Sequence, residues 1–496
     1  MGTNSPATPK LDEQLIHLLR QDFLAADFTL DGITDFLGKD AFEAYLQEDL
    51  DSVRYTVSHS SSPLALLIKF FLLHDSCTSG ELDTMLPRVK FSGALMLRIA
   101  KEDSANYSST FNVQPYFSDD CGNAWFFSDL TQIQTSQSLN SDHVLGVSHA
   151  SRTLTQAVIR TPVDTALDLG CGCGIQTLHL INHAQQLTVT DISHRALELT
   201  QFNLLLNNVN LEKVTFKQGS LFDPIENETF DLIISNPPFV ITPPKDKNYS
   251  YRETGLVGDA FVQKLVAKIP QHLNTRGIAQ FIANWEVKKG YDWKSTFEMW
   301  ELPACTMRVY LREILSPMSY AKMWAHDADL FEDTSKLIIR YLADFEHRDI
   351  KEIAFGFFTL TKNDTPRVIT ENLSNNSLVQ PIWSDLEQDI VRAKVTKLQE
   401  QKLKVASDVT EERFYIPGNE HPNIIQLRQG GGLARHTQVS SELAAFVGAC
   451  DGELGVNEIC AGLAHLLGLE STELEETLLP TVLKLYQEGY LTLLSE

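Results

Sequence analysis

Apolar residues in the first hundred positions recur at three- and four-residue spacing. Leu15, Leu18, Leu19 and Phe23 form one such run, and Leu64, Leu67, Phe70 and Phe71 another. That spacing predicts amphipathic helices, punctuated at Gly38 and Pro87. Residues 108–130 read instead as strands, carrying Phe111, Val113, Tyr116 and the Trp125, Phe126, Phe127 cluster. A helical, winged-helix-like domain with a short sheet is therefore expected over 1–135. From about 140 the rhythm becomes α/β. Strands are predicted at 166–169, 187–190, 214–216, 230–234 and 278–283, with helices over 194–208 and 259–272. Two more strands, 307–311 and 353–360, flank a long helical pattern over 320–345. Alternation of this kind implies a mostly parallel sheet with helices on both faces, here expected over 136–362. Residues 363–380 read as a polar linker. The segment 381–496 holds three helical stretches (about 440–450, 456–467 and 472–488) and a strand-like end, which suggests a second winged-helix-like domain.

Charge refines this picture because it is uneven. The 496-residue chain has a formal net charge of -24. Residues 1–150 carry 9 Lys and Arg against 20 Asp and Glu, and residues 436–496 carry 1 against 10. Residues 151–300 are nearly balanced, with 14 against 15. Both ends are thus poor platforms for a polyanion, and only the middle can approach one cheaply. The acidic tail is better suited to a protein partner or to self-association. The most apolar stretch, 63–73, is short and contains Lys69, so a buried helix is expected rather than a membrane span. The start of the chain lacks the layout of a secretory signal, and seven scattered cysteines fit a reducing cytoplasm.

Two pieces point to a nucleotide-like cofactor. The run Asp168, Leu169, Gly170, Cys171, Gly172, Cys173, Gly174 follows the first core strand and opens a helix. Glycines there let the backbone turn sharply and approach a ligand closely, with amides at the helix start facing it. Asp191 ends the second strand, where an acid can accept both hydroxyls of a ribose. The Gly-x-Gly-x-Gly spacing differs from the dinucleotide form, which disfavours a nicotinamide oxidoreductase. These residues resemble the class I S-adenosylmethionine-dependent methyltransferases, whose core is a Rossmann-like, mostly parallel seven-stranded sheet. The resemblance implies S-adenosylmethionine as cofactor. It assigns Gly170, Gly172 and Gly174 to the cofactor loop, Asp168 to its methionine end and Asp191 to the ribose, with Ile192 also binding the cofactor. Ser220 and Leu221 would flank the adenine, although many members carry an acid where this chain has Ser220.

Asn236, Pro237, Pro238 and Phe239 follow the fourth strand. Methyl transfer from a sulfonium needs a nitrogen lone pair aimed in line at the methyl carbon. In an amide or aromatic amine that lone pair is delocalised. Two acceptors on its N–H groups favour pyramidal geometry and stabilise the developing positive charge. The Asn236 side-chain oxygen and the Pro237 carbonyl can be those acceptors, the prolines stiffening the loop. Phe239 offers a flat face for stacking. The tetrapeptide is similar to that of the amino-methyltransferases acting on release-factor glutamine and on ribosomal RNA guanine and adenine amines. It implies transfer to a planar NH2 in RNA or in a translation-related protein, with Asn236 touching both cofactor and acceptor. The layout as a whole resembles an uncharacterised bacterial methyltransferase group. Downstream, 245–252 is basic and aromatic, and Tyr251 and Arg252 are its candidates for substrate contact. Cys171 and Cys173 lack a second pair, so no metal site is expected. The competing reading is a catalytically weak, cofactor-binding scaffold whose flanking domains make partner contacts; intact Asn236 and Asp191 speak against it.

Overall fold

A computed structural model describes residues 8–47, 49–137, 139–140, 142–243, 256–326 and 333–494. The chain divides into two compact units, Met1–Thr155 with Thr161–Glu371, and Gln156–Arg160 with Asn372–Glu496.

The first unit is built on one sheet. Its strands are β1 (Val163–Leu169), β2 (Ala184–Asp191), β3 (Val214–Gln218), β4 (Phe230–Ser235), β5 (Leu273–Lys288), β6 (Cys305–Leu315), β7 (Ile350–Lys362) and β8 (Arg367–Asn372). They lie in the order β3-β2-β1-β4-β5-β7-β6-β8. β3, β2, β1, β4 and β5 are parallel neighbours, and β7 runs antiparallel to both β5 and β6. The sheet therefore has eight strands rather than the expected seven. The extra one, β8, comes from the segment read as a linker; its polar side chains suit an edge that packs on one side only. Strand order reverses between β1 and β4, so the crevice beyond their carboxyl ends is the natural ligand site. Helices α1 (Ile175–Leu180), α2 (His194–Leu206), α3 (Ala260–Lys268), α4 (Pro317–His326) and α5 (Thr334–His347) cover the sheet. The long helical pattern over 320–345 is thus two helices. Beneath the β5 side, Trp285, Phe297, Trp300 and Phe358 pack in the central apolar cluster, with Trp300 and Phe358 nearly parallel at 6.3 Å.

The same unit takes in the predicted N-terminal domain as well as the predicted core, and side-chain amides explain why. The hairpin Asn112–Ser118 with Gly122–Ser128 lies against α2. Asn203 accepts from Phe127 N (2.8 Å) and donates to Phe127 O (2.9 Å). Asn207 does the same for Trp125, at 2.9 and 2.8 Å. Two asparagines one helical turn apart thus satisfy the hairpin's outer backbone edge. At the hairpin tip, Asp120 Oδ2 meets His179 Nδ1 (2.8 Å), and His179 Nε2 meets Tyr116 OH (2.9 Å), tying it to α1.

In the second unit, helices Ser441–Gly448, Val456–Leu467 and Ser471–Gln487 precede the strand Leu491–Leu493, in the expected order. That strand pairs antiparallel with Lys402–Val405, which also pairs with Asp451–Gly455. A separate three-stranded meander, Val409–Phe414, Ile424–Gln429 and His436–Val439, was not foreseen. Among the described residues no helix is long and apolar enough to cross a membrane, and no disulfide joins the seven cysteines.

Candidate active site

Beyond β1 the backbone turns at Gly170 (φ 81°) and Gly172 (φ 55°), conformations that any side chain would strain. Gly174 (φ 85°) adds a close approach, since a Cβ there would lie 2.8 Å from Thr200 Cγ2. The loop is fastened from both sides. Gly170 N and Cys171 N donate to Thr190 O at 2.9 and 3.0 Å. Thr200 Oγ1 donates to Gly172 O (3.0 Å) and Asn203 Nδ2 to Cys173 O (2.9 Å). Cys171 and Cys173 are buried within the turn, and burial pushes the Cys173 thiol up to about 12. Burial disfavours the thiolate of both.

Two carboxylates organise this end of the sheet. Asp191 Oδ2 accepts from Gly172 N (3.1 Å) and Oδ1 from Ser193 N (2.8 Å). Burial raises its pKa, and these hydrogen bonds oppose the rise. Asp168 is fully buried behind the loop, where Thr177 Oγ1 donates to its Oδ2 at 2.5 Å. Its Oδ1 has no hydrogen-bond partner among the described residues. Burial, with a smaller contribution from the Asp191 charge, pushes Asp168 up to about 7.

A cavity of about 810 Å³ opens at the switch point. Gly170, Gly172, Asp191 and Ile192 line it beside β1 and β2. Ser220 and Leu221 line it beyond β3, and Asn236, Pro237 and Pro238 beyond β4. Ile192 is 60% exposed, an apolar surface facing an apolar partner's place. Asp168 and Gly174 support the loop from behind rather than lining the cavity.

The segment over 142–146 also lines the cavity, and it is held from the predicted N-terminal domain. Asp129 Oδ2 accepts from Val144 N (2.8 Å), and Gln114 exchanges hydrogen bonds with the Val147 backbone at 3.0 and 3.2 Å. Arg195, on α2, makes a two-pronged ion pair with Asp129 at 2.9 and 2.6 Å. Breaking such a buried pair costs roughly 3–5 kcal/mol. No local motif marked Asp129 or Arg195, because their meaning lies in a pairing across 66 residues.

Asn236 Nδ2 donates to Ser151 Oγ (2.9 Å), so the amide oxygen is the end left for a ligand. The loop after it is fixed by buried Tyr320, whose OH accepts from Ile241 N and Asn284 Nδ2, both at 2.9 Å. Phe239 packs against Phe355 at 5.7 Å and onto the central apolar cluster. It is partly buried and is not among the residues that line the cavity. Tyr251 and Arg252 lie outside the described residues. Ser151 and Gln176 also line the cavity and were missed. The Ser148-x-x-Ser151 spacing of a helix start was the available signal.

Residues 145–310 match the family described as methyltransferase small domain, and residues 25–110 match a domain of unknown function (DUF7059). The release factor glutamine methyltransferase of Geobacter sulfurreducens is 34% identical over 135 residues, 25% of this chain and 46% of its own length. The ribosomal protein uL3 glutamine methyltransferase of Bradyrhizobium diazoefficiens is 32% identical over 24% of this chain and 40% of its own length. Ribosomal RNA small subunit methyltransferase C of Salmonella paratyphi B is 31% identical over 37% of this chain and 50% of its own length. The chain spans half or less of the length of these relatives.

Proposed function

We propose that this chain, with its methyltransferase small domain at 145–310, is an S-adenosylmethionine-dependent N-methyltransferase acting on a planar NH2. The acceptor is a component of the translation apparatus, carrying that NH2 on a nucleobase or a glutamine amide. The observation that carries the reading is the placement of Asn236. Its oxygen-bearing end is free for a ligand in the same cavity as Gly170, Gly172 and Asp191.

The residues present fit the cofactor. Each Asp191 oxygen already takes one backbone N–H and keeps further lone pairs for ribose hydroxyls. Leu221 supplies an apolar wall for the adenine, with Ser220 beside it and Ile192 along the same cavity, and the Asp168 carboxyl, buried behind the glycine loop, favours through its charge a cationic amino-acid end beyond that loop. When bound, S-adenosylmethionine supplies an electrophilic methyl group on a sulfonium. Asn236 Oδ1 and the Pro237 carbonyl accept the two N–H groups of the acceptor, turning its lone pair towards that methyl. Pro237 and Pro238 hold the carbonyl's direction, and Phe239 braces the loop from the core side. Tyr251 and Arg252 would contact the acceptor from the mouth. The acidic tail would serve self-association or contact with a protein partner.

The reading is tested by incubating the protein with methyl-labelled S-adenosylmethionine and a cell lysate, then digesting with ribonuclease or protease. Label is expected in one macromolecular fraction, released by one of the two enzymes. Cofactor retention without any transferred label would refute it.

Asp168 gives a second expectation. Its pKa near 7 means the neutral form is favoured in the empty site, so its contribution to stability is lost as pH rises towards 7. A cationic ligand in front of it favours the charged form and draws the pKa down. Binding below pH 7 should therefore release up to about one proton, and binding at pH 9 none from this group. Calorimetry in buffers of contrasting ionisation enthalpy measures this, and Asp168→Asn should abolish the difference. Equal release at both pH values would contradict it.

A further inference from the structure

The amide of Asn236 can serve an acceptor amine only if its oxygen, not its nitrogen, faces the cavity. Turned over, it would present two N–H groups to an NH2 and repel it. What sets this choice is Ser151, on the helix His149–Thr155, 85 positions earlier in the chain. We propose that Ser151 is a positioning residue for methyl transfer, its hydroxyl holding Asn236 Nδ2 so that Oδ1 meets the acceptor NH2. This rests on the activity proposed above.

Ser151 is suited to that role because it is buried and fixed on several sides. Its hydroxyl shares a hydrogen bond with Ser148 Oγ (3.0 Å), which also accepts from Ser151 N (3.1 Å). Either hydroxyl of this pair can donate; in the arrangement where Ser151 gives its proton to Ser148, the Ser151 oxygen is left as an acceptor and selects the NH2 end of Asn236. Its carbonyl accepts from Gln176 Nε2 at 2.9 Å, and Gln176 is the second residue of α1, directly after the glycine loop. One serine therefore touches both halves of the site, the cofactor helix through its backbone and the acceptor loop through its side chain. A shift at Ser151 would misplace the amine relative to the methyl, and displacements of about 1 Å can cost about a hundredfold in rate.

The experiment compares Ser151→Ala, Ser151→Thr, Asn236→Ala and the double variant Ser151→Ala/Asn236→Ala with the unmodified protein. The readouts are initial rates of label transfer from S-adenosylmethionine into lysate, the KM for the cofactor, and its Kd by equilibrium dialysis. Ser151→Ala is expected to lower the maximal rate by about 10–100-fold with cofactor KM and Kd within about threefold. Ser151→Thr, which keeps the hydroxyl, should recover most of the rate. In the double variant, Ser151→Ala should add little to Asn236→Ala, because both changes remove one unit. If Ser151→Ala slows the Asn236→Ala background as much as the unmodified protein, or leaves the rate intact, the proposal is wrong. Should Ser151→Ala fail to fold, Ser151→Cys keeps the volume while weakening the acceptor, and must fall between serine and the loss expected for alanine. Absence of transfer by the unmodified protein would instead overturn the proposed activity itself.

Discussion

Replacing Asn236 by alanine is expected to lower turnover by about a hundred- to a thousandfold while leaving the cofactor Kd within about tenfold. The asymmetry follows from when its hydrogen bond matters. A planar NH2 in its ground state is neutral with a delocalised lone pair, and it gains only an ordinary hydrogen bond from an acceptor. As nitrogen becomes tetrahedral and positive, the same oxygen interacts far more strongly, so its removal raises the barrier rather than weakening binding. Folding should be little disturbed. Asn236 is only partly buried, and the Ser151 hydroxyl that its amide nitrogen meets keeps Ser148 as a partner when the amide is removed. Single-turnover rates with labelled cofactor, set beside equilibrium dialysis, measure both quantities. A variant as fast as the unmodified protein would remove Asn236 from the chemistry.

What the sequence disclosed and what it hid divide along a physical line. The glycine loop, Asp191 and the Asn-Pro-Pro-Phe turn were legible because each is local. Positive φ demands glycine within a few positions, a strand-end acid follows its strand, and two prolines in a row announce a stiff turn. The parallel core was legible for a similar reason, since doubly covered strands are nearly continuous apolar runs. The residues that aim the site were not. Ser151, Arg195 with Asp129, and the Asn203–Asn207 pair act through contacts made 66 to 85 positions away, and each is an ordinary polar residue in its own surroundings. β8 was hidden because an edge strand with one paired side has polar composition, like a linker.

Replacing Asp191 by alanine should give the opposite division, weakening the cofactor Kd by about a hundredfold or more and changing turnover at saturating cofactor much less. Two losses combine. The ribose loses a charged acceptor, and hydrogen bonds to charged groups contribute roughly 1.5–3 kcal/mol each. Gly172 N and Ser193 N lose the partner that fixes them at 3.1 and 2.8 Å, so the loop must be ordered by the ligand itself. Asp191→Asn separates the two contributions, because an amide keeps one oxygen acceptor but no charge. An intermediate affinity for asparagine would show that charge and loop geometry both matter, whereas affinity unchanged in both variants would take Asp191 out of the site. The substitution also has an effect at a distance. The Asp191 charge helps hold Asp168 high, so its removal should lower the Asp168 pKa. Less of that group is then protonated near neutrality, and the proton released on cofactor binding at pH 7 should shrink in Asp191→Ala even at concentrations that saturate the site.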